Sequence, residues 1–245
     1  MKVKFEELYR DFAIVFEVQE SIKLLKKGLC EIQKLSLNND FYTPVFMLLS
    51  SGLERLFKIM LCLNFTDKNN RFPNSDEIWK NKNGHDLLFL KSEVGKICKP
   101  IDRQFTATDY YVITEEESIT KICEILSDYG KKGRYFNIDA ILGNEQPFEP
   151  YVQWQRLVEA PIGIEMYGEE GYYSRITNGN AQQSAEIINE INEEILVRLE
   201  VFFRALCRQF TFRTFSEDSF RFTAYTGFFG DLRDEKLGTT DYSKI

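Results

Sequence analysis

Apolar residues recur every three or four positions along most of the chain, which is the spacing of one face of an α-helix. Within residues 18–36 this stripe consists of Ile22, Leu25, Leu29, Ile32 and Leu35. The longest stripe lies within residues 181–209 and consists of Ile188, Ile191, Ile195, Leu199, Phe202 and Leu206. A helix of roughly 28 residues is on the order of 40 Å long. The last stripe therefore predicts a helix that runs the full length of a bundle.

Three further helices are predicted between these two. The segment after Thr43 and Pro44 is apolar around most of its circumference, which predicts the most buried helix of the fold. Thr43 before Pro44 is typical of a helix start, because a first-turn proline has no amide hydrogen to leave unpaired. The next helix is predicted between residues 85 and 100. The third is predicted over residues 114–133, opened by a capping box of Thr114 and Glu117.

The remaining segments are less regular. Residues 140–180 contain several prolines and glycines and predict a short helix over 151–159 and a small hairpin around 168–171. Residues 101–113 are predicted to be a connector. In the tail, phenylalanines alternate with other residues at Phe210, Phe212, Phe220 and Phe222. This alternation predicts either two short strands around residues 216–219 or an extended aromatic segment laid over the bundle.

These patterns together predict a mainly all-α protein, a bundle of about five to seven helices. We expect residues 1–245 to form a single domain. In this interpretation residues 15–140 form the bundle core. Residues 181–245 supply the long helix and a C-terminal extension that packs on the core.

Composition restricts the function classes. The chain has 245 residues, is 43% hydrophobic and carries a net charge of −7, which argues against broad electrostatic binding to nucleic acid or to an anionic membrane. No stretch approaches the roughly 18 apolar residues of a membrane span. The five cysteines are widely spaced within helix-like stretches and form no CxxC pair. We therefore expect buried thiols in a soluble, cytoplasmic protein without contact to a membrane.

Candidate chemistry is sparse. His85 is the only histidine, no GxSxG is present, and no glycine-rich stretch continues into the Lys-Ser/Thr of a phosphate loop. A nucleophilic hydrolase and a zinc site are therefore disfavoured, and no metal or cofactor is predicted. His85 and Asp86 stand at a predicted helix start. We expect Asp86 to favour the helix dipole and the His85 side chain to hold the preceding loop.

A basic cluster follows the third predicted helix. Lys131, Lys132 and Arg134 lie just past the helix end, and Arg134 is followed by Tyr135. Cations at this place complement the negative end of the helix dipole. The same cations would also suit an anion or a nucleotide phosphate. Both interpretations are open from the sequence alone.

Three segments taken in order, LERLFKIML, GHDLLFL and LSDYGKKGRYF, resemble the HEPN group of helical domains. HEPN domains occur in prokaryotic nucleotidyltransferase partners, toxins and defence proteins. The resemblance covers about residues 15–140. The positions that match its motifs are Glu54, Lys58, His85, Asp86, Leu87, Leu90, Arg134 and Tyr135.

The resemblance implies a homodimer and a place in a prokaryotic defence or toxin–antitoxin-type system, with a protein partner. Members that cleave RNA carry a histidine separated from the matching arginine by four to six residues. Here the residues at those positions after Arg134 are Asp139, Ala140 and Ile141. An anionic carboxylate would repel the phosphate. The sequence therefore favours a binding or assembly module without catalysis.

The alternative is a divergent ribonuclease or nucleotide-processing enzyme that uses Arg134, Lys58 and His85 around a shared cleft. Such a site requires these three side chains to lie close together. Binding of nucleic acid or nucleotide is left open by the sequence. The candidate anion- or nucleotide-binding residues in either case are Lys58, His85, Lys131, Lys132, Arg134 and Tyr135.

Overall fold

The computed structural model describes residues 2–79, 84–144 and 149–245. These residues form eleven α-helices and no β-strand. In chain order the first seven helices are α1 Lys2–Lys34, α2 Thr43–Asn69, α3 Ser75–Ile78, α4 Leu87–Ile97, α5 Thr106–Thr114, α6 Glu117–Lys131 and α7 Phe136–Ile141. The other four are α8, built from Pro150–Trp154, a π turn Gln155–Glu159 and Ala160–Tyr167, then α9 Glu169–Asn178, α10 Ala181–Phe212 and α11 Thr223–Gly230. The all-α class is confirmed, but the helices outnumber the predicted five to seven.

Helices α1 and α2 form the closest helix pair of the core. Gly28 and Gly52 lie at the crossing, and a Cβ atom added at Gly52 would come within 2.8 Å of Leu25 Cδ2. The absence of a side chain therefore allows the two helix backbones to approach. The face that α2 turns inward includes Leu49, Leu53, Leu56, Phe57 and Met60, all fully buried. These residues belong to one continuous hydrophobic cluster that also includes residues of α6, α8 and α10.

The C-terminal tail is helical, which corrects the predicted strands or extended segment. Helix α10 ends where Arg213 adopts a left-handed conformation with φ 57°. A 3₁₀ helix, Glu217–Phe222, and α11 follow. Phe210 and Phe222, which contributed to the alternation, are both fully buried, with ring centroids 6.5 Å apart. Two helices that each turn a phenylalanine into the core therefore produced a pattern that resembles strand alternation.

Three other local predictions were wrong, and a fourth, the short helix over 151–159, was confirmed but is shorter than the helix in the structure. The predicted connector 101–113 contains most of α5, and Thr114 ends that helix, so α6 is preceded by Glu116 instead of a capping box. The Thr114 hydroxyl donates to the Tyr110 carbonyl, as a residue inside a helix does. The predicted hairpin around residues 168–171 is the start of α9. The short helix over 151–159 continues to Tyr167 through the π turn, in which Ala160 N–H bonds to the Gln155 carbonyl.

The cysteines are mostly buried, as the sequence predicted. All five cysteines are free; Cys62 is partly buried and the others are fully buried. Burial raises the pKa of Cys98 and of Cys123 to about 12, so these groups remain thiols at neutral pH. Among the described helices, none combines the length and the apolar character that crossing a membrane requires.

Candidate functional site

A cavity of about 700 Å³ lies where α1, α2 and the end of α6 meet His85 and Leu87 at the start of α4. Apolar side chains of all three helices form part of its wall, including Ile14, Ile59 and Leu126. Its charged and ionisable lining residues are Glu17, Glu54, Arg55, Lys58, His85 and Arg134. We call this site the cationic cavity, because three permanent cations face two carboxylates in a chain with a net charge of −7.

Helix α2 supplies three of these residues, Glu54, Arg55 and Lys58, from two successive helical turns. Glu54 and Lys58 are four residues apart, so they lie on the same face, and Lys58 Nζ donates to Glu54 Oε1 over 2.7 Å. The Lys58 ammonium also lies 5.3 Å from the centroid of the Trp79 ring. Arg55, one position from Glu54, forms an ion pair with Glu17 of α1. These pairs fix the cations at the cavity wall.

His85 belongs to the same cavity, and the predicted contact of its side chain with the preceding loop falls on residues 80–83, which lie outside the described part of the chain. Its Nδ1 lies 3.0 Å from Glu54 Oε1, and 74% of its side chain is exposed. Asp86 is the residue that caps α4, because its Oδ1 accepts hydrogen bonds from the Leu88 and Phe89 N–H groups. His85 therefore precedes the helix and connects it to α2.

The basic cluster is divided by the structure. Lys131 Nζ forms an ion pair with Asp86 Oδ2 over 2.6 Å, so it stabilises the start of α4. Burial would raise the pKa of Asp86, but the hydrogen bonds from Lys131 and from the Phe89 N–H outweigh it, and the pKa is lowered. Lys132 is exposed and lines no part of the cationic cavity. Arg134 lines the cavity directly.

Tyr135 lies beyond Arg134. It is 64% exposed and lines a neighbouring cavity of about 360 Å³, which shares Arg134 with the cationic cavity. Asp139, which replaces the expected imidazole in the resemblance, lies in α7 and lines neither cavity. Of the six candidate binding residues, the structure therefore brings Lys58, His85 and Arg134 to one cavity. It places the other three outside it.

Arg134 is the most available cation of this site. Lys58 and Arg55 each have a carboxylate partner, whereas Arg134 forms no ion pair within the described part of the chain. An unpaired guanidinium presents several N–H donors in one plane, which suits a carboxylate or a phosphate. The imidazole of His85 adds a group that can donate or accept a proton, oriented by Glu54. Nowhere in the described ranges do three or more potential metal ligands gather.

Sequence reasoning missed Glu17 and Arg55. The two residues are far apart in the chain, and only the packing of α1 on α2 brings them together. A weak signal was available for Arg55, because it is adjacent to Glu54 on the same helix. Comparisons of the chain with known protein families, with curated proteins and with solved structures find no match.

Proposed function

We propose that the protein is a binding module without its own catalysis, and that the cationic cavity holds a small anionic ligand such as a nucleotide. The observation that carries this proposal is the guanidinium of Arg134, which has no ion-pair partner among the described residues and lies beside Lys58 and His85. A phosphate placed there would meet a cation that gives up no existing ion pair. Binding to Arg134 therefore breaks no salt bridge that the described residues form.

The size and the wall of the cavity support a small molecule as the ligand. A volume of about 700 Å³ lies within the range of roughly 300–1,000 Å³ that is typical of ligand pockets. The apolar side chains of Ile14, Ile59 and Leu126 offer a surface for a base or another flat group. The overall charge of −7 disfavours a long nucleic acid, because most of the surface would repel it.

The HEPN-like interpretation is part of this proposal. It is supported by the sequence segments and by the position of five motif residues at a single cavity, namely Glu54, Lys58, His85, Leu87 and Arg134. On that basis we propose a cytoplasmic homodimer that works with a protein partner, in a prokaryotic defence or toxin–antitoxin-type system. Light scattering at micromolar concentration tests the dimer, and a monomer mass would refute it.

A second candidate function is supported by one specific contact. His85 Nδ1 and Glu54 Oε1 are 3.0 Å apart, which is the geometry of an imidazole oriented by a carboxylate. Such a pair beside Arg134 would suit proton transfer during cleavage of a phosphodiester bond. In this version the protein is a divergent ribonuclease or nucleotide-processing enzyme, and His85 is the base.

Calorimetric titration with ADP and with inorganic pyrophosphate tests the binding function. We expect Arg134→Ala to weaken binding at least tenfold, because the available cation is lost. Lys132→Ala is the matched control, since it removes the same charge two residues earlier in the chain but outside the cavity. Its affinity should equal that of the wild type. Equal weakening in both variants would indicate a diffuse charge effect and would contradict the proposal.

A further variant, His85→Gln, separates binding from catalysis. Incubation of the protein with a short labelled RNA and with ATP measures turnover, and His85→Gln removes the base while its amide retains hydrogen-bonding capacity. Cleavage by the wild type that is lost in His85→Gln would establish the second candidate. Binding without turnover in either protein supports the first. No binding of any phosphate probe by the wild type would refute both.

A further inference from the structure

A second cavity, of about 530 Å³, lies between the loop after α1 and helices α8, α9 and α10. It shares no lining residue with the cationic cavity. Four tyrosines form much of its wall. We call it the aromatic cavity and define it by Asp40, Tyr42, Tyr151, Glu159, Tyr172 and Tyr173.

The tyrosines form two contacting pairs. The ring centroids of Tyr42 and Tyr151 are 4.9 Å apart, and those of Tyr172 and Tyr173 are 5.2 Å apart. Because each ring face carries partial negative charge, aromatic walls attract a cation that enters between them. Ring faces also pack against the carbon skeleton of such a ligand. This wall therefore favours an organic cation over a simple anion.

Glu159 places a carboxylate in the same cavity. The Tyr42 hydroxyl donates to its Oε1 over 2.6 Å. Burial raises the pKa of Glu159, and the Tyr42 hydrogen bond offsets this only in part. No lysine or arginine in the described residues forms an ion pair with Glu159 or with Asp40. Arg156 is the single cation among the lining residues, and it is exposed.

The π turn of α8 positions this carboxylate. A π turn contains one more residue than an α-helical turn and is frequent at functional sites. Here it spans Gln155–Glu159, and its first and last residues both line the cavity. Gln155 Nε2 donates to the Tyr151 hydroxyl over 2.6 Å, so the turn also holds one of the aromatic walls. Pro161, two residues after Glu159, cannot donate a backbone hydrogen bond to the preceding turn.

We propose that the aromatic cavity binds an organic ammonium ion, a small amine whose charged nitrogen contacts Glu159 and whose carbon skeleton packs on the tyrosines. The ammonium would supply the cation that Glu159 and Asp40 lack among the described residues. The proposal is independent of the function assigned to the cationic cavity, because the two sites have no lining residue in common.

Titration calorimetry with three ammonium probes, phenethylammonium, spermidine and choline, tests this site. We expect at least one to bind at millimolar concentration or below. The uncharged alcohol 2-phenylethanol has nearly the shape of phenethylammonium and is the matched ligand control, which we expect to bind at least tenfold more weakly than the amine. Absence of binding by all three cations would overturn the proposal. Equal binding of alcohol and amine would do the same.

Variants assign the binding to Glu159 and the tyrosine wall. Glu159→Gln keeps the size of the side chain and an acceptor for Tyr42. It should lower the affinity for the cation at least tenfold. Tyr173→Ala removes a half-exposed ring and should lower the affinity for the cation severalfold without unfolding the chain. Arg134→Ala, in the other cavity, should leave the affinity unchanged. Thermal unfolding confirms that each variant is folded. Cation binding that survives both aromatic-cavity variants would place the ligand elsewhere and refute the proposal.

Discussion

The two cavities of this chain have opposite chemistry. Three cations face two carboxylates in the cationic cavity, whereas two carboxylates and four tyrosine rings face one exposed arginine in the aromatic cavity. The net charge of −7 describes neither site. Composition therefore excludes binding over a broad surface, but the groups that line a cavity determine which small ligand it suits.

The cavities also differ in how their charges are held. In the cationic cavity the ion pairs Lys58–Glu54 and Arg55–Glu17 lie on exposed or half-exposed helix surface. In the aromatic cavity Glu159 is tied to Tyr42, and Tyr42 packs against Phe46, a ring of the buried core. We therefore expect substitutions at the first site to change binding and substitutions at the second to change stability as well.

The largest expected effect is on stability, in the helix α8 that carries Glu159. Trp154 is fully buried on α8, with its ring centroid 5.4 Å from that of Phe46. Trp154→Ala should lower the free energy of unfolding by about 3–5 kcal/mol, because it removes a large buried ring and leaves a void. Urea denaturation measures the change. A loss below that of Arg134→Ala, which removes an exposed side chain, would contradict the proposed difference between the sites.

Charge reversal gives the next largest effect and separates the ligands. Arg134→Glu should weaken ADP binding about 100-fold, equivalent to about 2.7 kcal/mol, because an attraction becomes a repulsion. Phenethylammonium binding should not change, since Arg134 does not line the aromatic cavity. Calorimetry on one protein preparation measures both ligands. A similar change for both would mean that the sites do not act independently.

The two sites were not equally accessible from the sequence. Lys58, His85 and Arg134 stood out because they occur in short recognisable segments, and the structure brings them to one cavity. The aromatic cavity was missed: Tyr42, Glu159 and Tyr172 are distant in sequence, and Glu159 enters the cavity through a π turn that helical periodicity does not reveal. Tyr151 and Glu159 had been assigned to a short helix, and the hairpin predicted around residues 168–171 ends just before Tyr172.

The fold shows the same limit. Stripes with a spacing of three and four residues located the long helices, because burial on one face governs both sequence and structure. Helix α5 was missed, since its residues Thr106–Thr114 show little apolar periodicity and its start has Phe105 in a left-handed conformation. Local signals such as Thr114 before Glu117 also failed. The preceding helix extended through Thr114 and left it no capping role.

Tyr42 tests whether the buried carboxylate depends on its hydroxyl partner. Tyr42→Phe keeps the ring but removes the donor to Glu159 Oε1, so we expect the free energy of unfolding at neutral pH to fall by about 2 kcal/mol. Tyr151→Phe is the matched control, because the Tyr151 hydroxyl accepts a hydrogen bond from a glutamine side chain instead of contacting Glu159. Equal losses of unfolding free energy in the two variants would show that the hydrogen bond from Tyr42 to Glu159 contributes no more than the one between Gln155 and Tyr151.

Asp86 provides the corresponding test beside the cationic cavity. Asp86→Ala removes the acceptor for the first N–H groups of α4 and should cost about 1 kcal/mol. We also expect weaker ADP binding, because the start of α4 holds His85 next to Glu54. Lys131→Ala removes only the ion pair to Asp86 and should cost less. A larger loss of stability for Lys131→Ala would indicate that the ion pair, and not the helix cap, holds the start of α4 in place.

The smallest expected effect is a pH dependence that arises from the buried carboxylate of the aromatic cavity. Burial raises the pKa of Glu159 above its ordinary value of 4.5, so the folded protein binds this proton more tightly than the unfolded chain. The contribution of Glu159 to stability is therefore fully present below pH 4.5 and is lost as the pH rises through the raised pKa. Glu159→Gln lacks this titration, so the wild type should lose stability relative to the variant over that interval in urea denaturation.

A bound ammonium ion stabilises the charged carboxylate, so phenethylammonium should bind more weakly at acidic pH. Near neutrality it should reduce the difference in stability between the wild type and Glu159→Gln. A difference between the two proteins that stays constant with pH would mean that the carboxylate is adequately solvated without a ligand, and the main electrostatic contrast between the cavities would disappear.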